Sequence, residues 1–268
     1  MMQGEAAAGS GYSVFAEYYD ALTENVCYRE RAAALDSIIE KWQNPDMPDR
    51  ILLDLACGTG SLSEEFAKLD WDVIGIDSSE DMLSEALDKK YDSGLPVQYL
   101  KQDMRRLDLF GTISVTVCAL DSLNHLQSEQ DLRRTFGRIN LFSNPGALFL
   151  FDVNTEYKHR CVLAEQCFVY ELPEAVCIWQ NHTDLSAPDL PVTIQLDFFS
   201  HTSGNCYARS TEIFTERFYS EEILRNLLLE TGFTLLEICD GDTFAEPDAQ
   251  SQRLLFIARA EGGQKTDG

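Results

Sequence analysis

This sequence predicts an α/β fold built on a mostly parallel sheet with helices on both faces, and three observations carry that prediction. From residue 29 to about residue 153, apolar strand-like runs alternate with amphipathic helical stretches, the pattern of strand–helix–strand units. The last of these runs, 147–153 (ALFLFDV), has a single polar residue, as strands covered on both faces do. The first ends in the glycine-rich turn Cys57-Gly58-Thr59-Gly60, directly before a helical stretch.

The elements follow in order. Residues 1–13 are small and polar and read as a frayed end. Over 29–43, Leu35, Ile38, Ile39 and Trp42 fall at helical spacing, and Asn44-Pro45 and Pro48 stop the helix. Residues 50–56 (RILLDLA) form a strand, and the next helix aligns Leu62, Phe66 and Leu69. Residues 71–77 (WDVIGID), 97–100 and 113–120 (ISVTVCAL) are further strands, with a helix opening near Ser79 after the first of them. Ser128-x-x-Asp131 resembles a capping box ahead of Leu132, Phe136 and Ile139. Between about 165 and 217 the pattern changes to strands without helices. Residues 192–198 (VTIQLDF) alternate apolar and polar, and 175–180 and 206–218 look similar. A helix returns over 221–231, stopped by Gly232. Strands at 233–239 and 253–260 close the chain. Residues 237–250 hold five acids and no base and read as a solvated loop, and the tail from Glu261 reads as disordered. The chain reads as one domain: a core of 29–154 and 218–260, an antiparallel insert of 155–217 and a cap segment of 12–28.

Composition removes several functions. Asp and Glu number 45 and Lys and Arg 21 among 268 residues, a net charge of −24. A polyanion binder collects Lys and Arg on one face, so no nucleic acid is expected as partner. Arg105-Arg106 and Arg133-Arg134 read as solvated charges. No uncharged run reaches the ~18 residues of a membrane-spanning helix, and no basic residue precedes Arg29, so neither a membrane association nor a secretory signal is read. None of the eight Cys forms a CxxC pair, and several lie in apolar runs, the usage of reduced thiols in a cytoplasmic protein. Closely spaced Cys and His pairs are missing, so no metal is expected.

The chemistry concentrates in Asp54-Leu-Ala-Cys57-Gly58-Thr59-Gly60. A glycine turn between strand and helix lets a ligand approach the backbone, and in open α/β sheets ligands lie at the carboxyl ends of the strands. Asp77 ends the next strand, where an acid can grip a ribose. A nicotinamide-binding domain shares these features. Three details favour another ligand: position 63 is Ser rather than a third glycine, Asp54 would repel a pyrophosphate, and Gln102-Asp103-Met104 offers an acid for an adenine amino group. A ligand with ribose, adenine and a cationic group but no phosphate satisfies all three, and S-adenosylmethionine has those parts.

On LLDLACGTG (52–60), VIGIDSSEDML (73–83), QDM (102–104) and CALDSLNHL (118–126), the chain resembles the class I S-adenosylmethionine-dependent methyltransferases. FAEYYDAL (15–22), Tyr28 and FDVNTEYK (151–158) resemble a bacterial small-molecule branch of that family. The resemblance implies a Rossmann-like seven-stranded sheet with its last strand antiparallel. It implies that Asp54, Ala56, Gly58 and Gly60 line the methionine part of the cofactor. Asp77 would bind the ribose beside Ser78, and Met82 would lie under the adenine. Asp103 and the Met104 backbone would read the adenine edge. Cys118 and Ala119 would sit near the sulfonium, with Tyr19 and Tyr28 closing over the methionine end. Cys57 departs from the commoner glycine.

Methyl transfer from a sulfonium needs positioning more than chemistry, but an amine acceptor must first lose a proton. His125 is the titratable candidate at the mouth of the sheet, with Tyr19, Asp121 and Asn124 available to orient the substrate. A histidine after a strand is also often an ordinary hydrogen-bonded residue, and Tyr19 and Tyr28 also suit plain packing of an N-terminal helix. His159, His182 and His201 are scattered. The expected protein is a cytoplasmic methyltransferase, monomer or homodimer, acting on a small molecule through nitrogen. The alternatives are a nicotinamide-dependent oxidoreductase and a non-catalytic S-adenosylmethionine-binding protein.

Overall fold

The computed structural model describes residues 13–45, 47 and 49–261. The expected fraying at the start and disorder of the tail fall, apart from Ser13 and Glu261, outside the described residues, as does Pro48. Two sheets organise the rest. Strands β1 (Ile51–Leu55), β2 (Asp72–Asp77), β3 (Gln98–Lys101), β4 (Ile113–Cys118), β5 (Ser143–Asn154), β10 (Phe233–Asp240) and β11 (Arg253–Ala260) form one sheet in the order β10-β11-β5-β4-β1-β2-β3. Pairings among β1 to β5 are parallel, and the last strand, β11, runs antiparallel to both β5 and β10. The expected seven-stranded architecture is therefore present. Strand order reverses between β1 and β4, the place where such sheets bind ligands.

Helices cover both faces. On one side, Leu132, Phe136 and Ile139 of α5 (Glu129–Phe142) and Leu224, Leu227 and Leu228 of α6 (Glu221–Glu230) pack with Phe149 and Phe151. On the other, Ala32, Leu35 and Ile39 of α2 (Tyr28–Trp42) and Leu62 and Phe66 of α3 (Ser61–Lys68) pack with Leu52, Val73 and Leu150. The periodic apolar positions of the sequence are these buried stripes. Caps set the boundaries: Ser79 accepts from Met82 N at the start of α4 (Glu80–Ser93), and Ser128 accepts from Asp131 N at the start of α5. Asp131 does not complete a capping box; it accepts the Ser128 hydroxyl at 2.9 Å.

The second sheet is antiparallel, in the order β6 (Cys167–Leu172), β7 (Ala175–Thr183), β8 (Val192–Ser203), β9 (Cys206–Glu216). Its inner face packs on α1 (Ser13–Leu22) through Phe15, Tyr18, Cys177, Ile194 and Phe198. The β6 strand escaped the sequence pattern, because it is a mostly exposed edge strand without alternation. The acidic stretch 237–250 is also only partly a solvated loop. Its first residues finish β10, Asp240 is buried, and Asp242 reaches Arg31 and Arg253.

Candidate active site

The antiparallel sheet and α1 roof the carboxyl ends of the parallel strands. Between them lies a cavity of about 720 Å³, and a smaller cavity of about 30 Å³ adjoins the β1 turn. Gly58, with φ +54, donates its N–H to Asp77 Oδ2 at 2.9 Å, and Ser79 N–H donates to Oδ1 at 2.8 Å. Two backbone donors thus fix the Asp77 carboxylate at the cavity wall, and each oxygen keeps a lone pair for a ligand hydroxyl. Burial raises the Asp77 pKa against the pull of these N–H groups. Ala56, Ser78, Met82, Asp103 and Met104 line the same end.

Asp103 is already engaged. Its carboxylate takes a forked contact from Arg105, at 2.9 Å from Nε to Oδ1 and 2.6 Å from Nη2 to Oδ2, and this holds its pKa below the ordinary value. Arg105 is exposed, as expected from its doublet, but is also paired with Asp103. Asp54, 2% exposed, lies on the smaller cavity with Tyr19, Tyr28, Ala56 and Ala119. It accepts the Ser63 hydroxyl at 2.5 Å. Burial pushes its pKa up to about 7, Ser63 opposes this, and the nearby Asp77 charge adds to it. Asp54 faces no cationic side chain within ion-pair distance among the described residues.

Two expected residues stand off both cavity walls. Cys118 is fully buried in the core behind β4. Gly60 has a packing reason for lacking a side chain: a Cβ there would collide with the Tyr99 hydroxyl and lie 2.8 Å from its Cζ, at a backbone φ of +76.

The cap helix is fastened at both ends. Glu212 of β9 accepts from the N–H groups of Val14 and Phe15 at 3.0 and 2.8 Å. Asp20 accepts from Thr59 and Ser61 at 2.7 and 3.1 Å and pairs with Lys89. This brings Tyr19 and Tyr28 over the β1 turn. Tyr28 donates to Thr23 Oγ1 at 3.1 Å.

The far end of the cavity holds a charge network that the sequence did not reveal. Leu120 and Asp121 follow β4 with φ of 58 and 55, a conformation that non-glycine residues avoid. Asp152 stabilises it by accepting from both N–H groups, at 3.0 and 2.6 Å. Arg253 bridges Asp121 at 2.8 Å and Asp152 at 3.2 Å. Asn154 donates to Asp121 and Glu216 at 2.9 and 2.8 Å, and Lys158 donates to Asn154 at 2.8 Å. Burial works against the Asp121 charge, but Arg253 and Lys158 outweigh it and hold its pKa well below the ordinary value. Glu216 is pushed the other way, up to about 8, by burial and by Asp121.

His125 lies between the two ends, its ring 5.4 Å from that of Phe214. Burial lowers its pKa more than Asp121 and Asp77 raise it, so it is neutral near pH 7 and able to accept a proton. Asn124, in contrast, is buried structure: it donates to Arg217 O and accepts from Asn154 N.

The donor set fits the expected cofactor: a doubly held carboxylate for a ribose, a buried acid without a cation for an ammonium group, and Ile76, Met82 and Met104 as apolar neighbours of a base.

Comparison with known proteins agrees. A family model described as a methyltransferase domain matches residues 52–146. YqeM of Bacillus subtilis (strain 168), whose name is that of a putative methyltransferase, is 34% identical over 250 residues, covering 92% of this chain and 96% of the relative. A glycine/sarcosine N-methyltransferase of Halorhodospira halochloris is 30% identical over 213 residues, covering 78% and 75%. Among solved structures, an S-adenosylmethionine-dependent methyltransferase from Clostridium acetobutylicum ATCC 824 superposes with a TM-score of 0.81 at 28% identity, covering 94% of this chain and 99% of that one.

Proposed function

Because the chain belongs to the class I S-adenosylmethionine-dependent methyltransferases, we propose that it methylates a small-molecule acceptor on nitrogen. The roof carries this reading. The antiparallel sheet and α1 cover the reaction end, and the whole cavity, cofactor end included, is about 720 Å³, a volume typical of small-molecule sites. The net charge of −24 argues for an enzyme of metabolites rather than of nucleic acid, and the Bacillus subtilis relative fits a cytoplasmic one. No helix among the described residues is long and apolar enough to cross a membrane. The family assignment removes the nicotinamide alternative.

When bound, S-adenosylmethionine supplies a methyl group on a sulfonium sulfur, already activated for in-line displacement. The chain's residues then bind and orient. Asp54 takes the ammonium and Asp77 the ribose, with Ala56, Gly58, Ser78, Met82, Asp103, Met104 and Ala119 forming the rest of the cradle. Tyr19 and Tyr28 close the methionine end. Holding acceptor and methyl carbon in line can supply about 7–11 kcal/mol of the barrier. His125 takes the proton that an incoming ammonium must lose, and a neutral imidazole at the cavity wall suits that task. Nitrogen is favoured over oxygen by this modest base and by the N-methyltransferase relative at 30% identity.

A metabolite screen with methyl-labelled cofactor tests the reading. Amine-bearing compounds should take the label, and His125→Gln should lower turnover about 100-fold while losing the acidic limb of the pH profile. Unchanged turnover across pH would remove the base role, and label found only on hydroxyl groups would overturn N-methylation.

A further inference from the structure

The roof carries a hydrogen-bond donor that nothing among the described residues satisfies. Asn181 of β7 lines the large cavity, is 1% exposed, and its Nδ2 has no partner among the described residues. The amide's orientation is fixed. Trp179, two residues earlier on the same face, donates its indole N–H to Asn181 Oδ1 at 2.7 Å. An indole can only donate, so the amide oxygen must face it and the NH₂ group is the free edge. A buried amide N–H left without an acceptor costs free energy, which a ligand oxygen would recover.

Strand register gives the distance from this donor to the reaction end. Asn181 pairs with Ile194, and Ile194 pairs with Phe214. All three line the cavity, and the Phe214 ring lies 5.4 Å from that of His125. Two strand spacings put Asn181 about 10 Å from Phe214. Ile194 lies between them on the same face of the sheet, with the Phe214 ring beyond, so the surface that joins the two ends is apolar.

We infer that the acceptor is an elongated molecule with an apolar body, whose far end presents a carbonyl-type oxygen to Asn181 Nδ2 while its nucleophile lies beside His125. The inference rests on the small-molecule reading above and narrows it. Asn181 is a specificity residue here and takes no part in the chemistry. Acceptors whose far end is only a donor or only hydrocarbon leave its N–H unpaired, and a site built for a hydrogen bond discriminates strongly against a ligand that lacks it.

Two probes of matched shape test this: phenethylamine bearing a para-carboxamide and phenethylamine bearing a para-isopropyl group. Each is titrated by calorimetry into the full chain saturated with S-adenosylhomocysteine. The carboxamide should bind about ten-fold more tightly. Asn181→Leu should abolish that advantage and leave S-adenosylhomocysteine affinity unchanged. Asn181→Val also removes the donor and offers the probe no hydrogen-bonding group in its place, and it should abolish the advantage too, which covers the case of a leucine variant that folds poorly. Equal binding of the two probes by the wild type, as when a water satisfies the amide, overturns the inference. So does an advantage that survives in both variants, or failure of both probes to bind. The readout is binding rather than methyl transfer: were nitrogen not the methylated atom, the carboxamide advantage would still appear.

Discussion

Cofactor binding should release protons, in an amount set by Asp54. This carboxyl is buried against Ser63 with no cation beside it, and its pKa is pushed up to about 7. At pH 6 it is therefore about nine-tenths protonated, and at pH 7 about half. An incoming α-ammonium group, with an ordinary pKa of about 8, would sit against it and force it to ionise. Binding of S-adenosylhomocysteine should release about 0.9 proton at pH 6 and about 0.4 at pH 7. At pH 8 Asp54 is already ionised and half the ligand amines are neutral, so the sign reverses to an uptake of about 0.4. Calorimetry in buffers of different ionisation enthalpy measures this number directly. Asp77, also raised, contributes in the same direction as Asp54, and Asp54→Asn separates the two by removing the larger part of the pH 6 release. The ligand-free protein gives a second check on the sign. Asp54's folded pKa lies above its unfolded value of ~3.9, so its favourable contribution is complete below that value and disappears as pH rises through about 7. Once ionised it costs on the order of 4 kcal/mol, and Asp54→Asn should flatten the fall in stability across this window. Buffer-independent binding at pH 6 would refute both the raised pKa and the ammonium role.

Two further outcomes follow from the β1 and β2 turns. Asp77→Asn removes one of two carboxylate oxygens and aims an NH₂ group at a backbone N–H. Losing two charge-assisted hydrogen bonds to a ribose, each worth about 1.5–3 kcal/mol, should raise the S-adenosylhomocysteine Kd at least about 100-fold; a change below about three-fold in a folded variant would exclude the ribose role. Gly60→Ala should cost about 2–4 kcal/mol in urea unfolding, because its Cβ collides with Tyr99 at a left-handed φ. Gly58→Ala meets only Tyr19 Cε1 at 3.9 Å, so backbone strain of about 1–2 kcal/mol is all it should lose. Equal losses at the two positions would contradict this packing.

The contrast between the two glycines shows what a sequence makes legible. The turn of 54–60, Asp77 and the 102–104 segment each lie within one strand–turn–helix unit, so local spacing already points to them. Gly60's partner, Tyr99, is 39 residues away, and nothing local announces the contact. The charge network is harder still. Arg253 meets Asp152 across 101 positions, and Asn154 meets Glu216 across 62. Each contributes one ordinary charged or amide residue from a different element, so no spacing rule can gather them. One trace was visible: Asp152 is the lone charge in the apolar run 147–153, and a charge inside a doubly covered strand needs a partner. The contact between Asp103 and Arg105 was missed for the opposite reason: the two are only two residues apart, and a short 3-10 turn joins charges that the sequence suggested were free.

The two ends of the cavity hold most of their acids in opposite ways, and this division supports the roles proposed for them. At the acceptor end, Asp121 and Asp152 are neutralised by Arg253 within the protein, and Asp121 is held ionised well below the usual range. Carboxylates already paired have little attraction left for a ligand; they fix the strained Leu120–Asp121 turn and with it the position of His125. At the cofactor end, Asp54 and Asp77, unlike the Arg105-paired Asp103, have no basic partner within ion-pair distance among the described residues, and burial raises both. The free energy of holding them there is recovered when a ligand brings an ammonium group and hydroxyls to the same place. Glu216 breaks the pattern, since it lies at the acceptor end yet is raised to about 8. Buried acids whose environments drive them apart mark separate tasks. Glu216 is thus a carboxyl there whose protonation a charged acceptor can change on entering, and the net charge of −24 has no bearing on that.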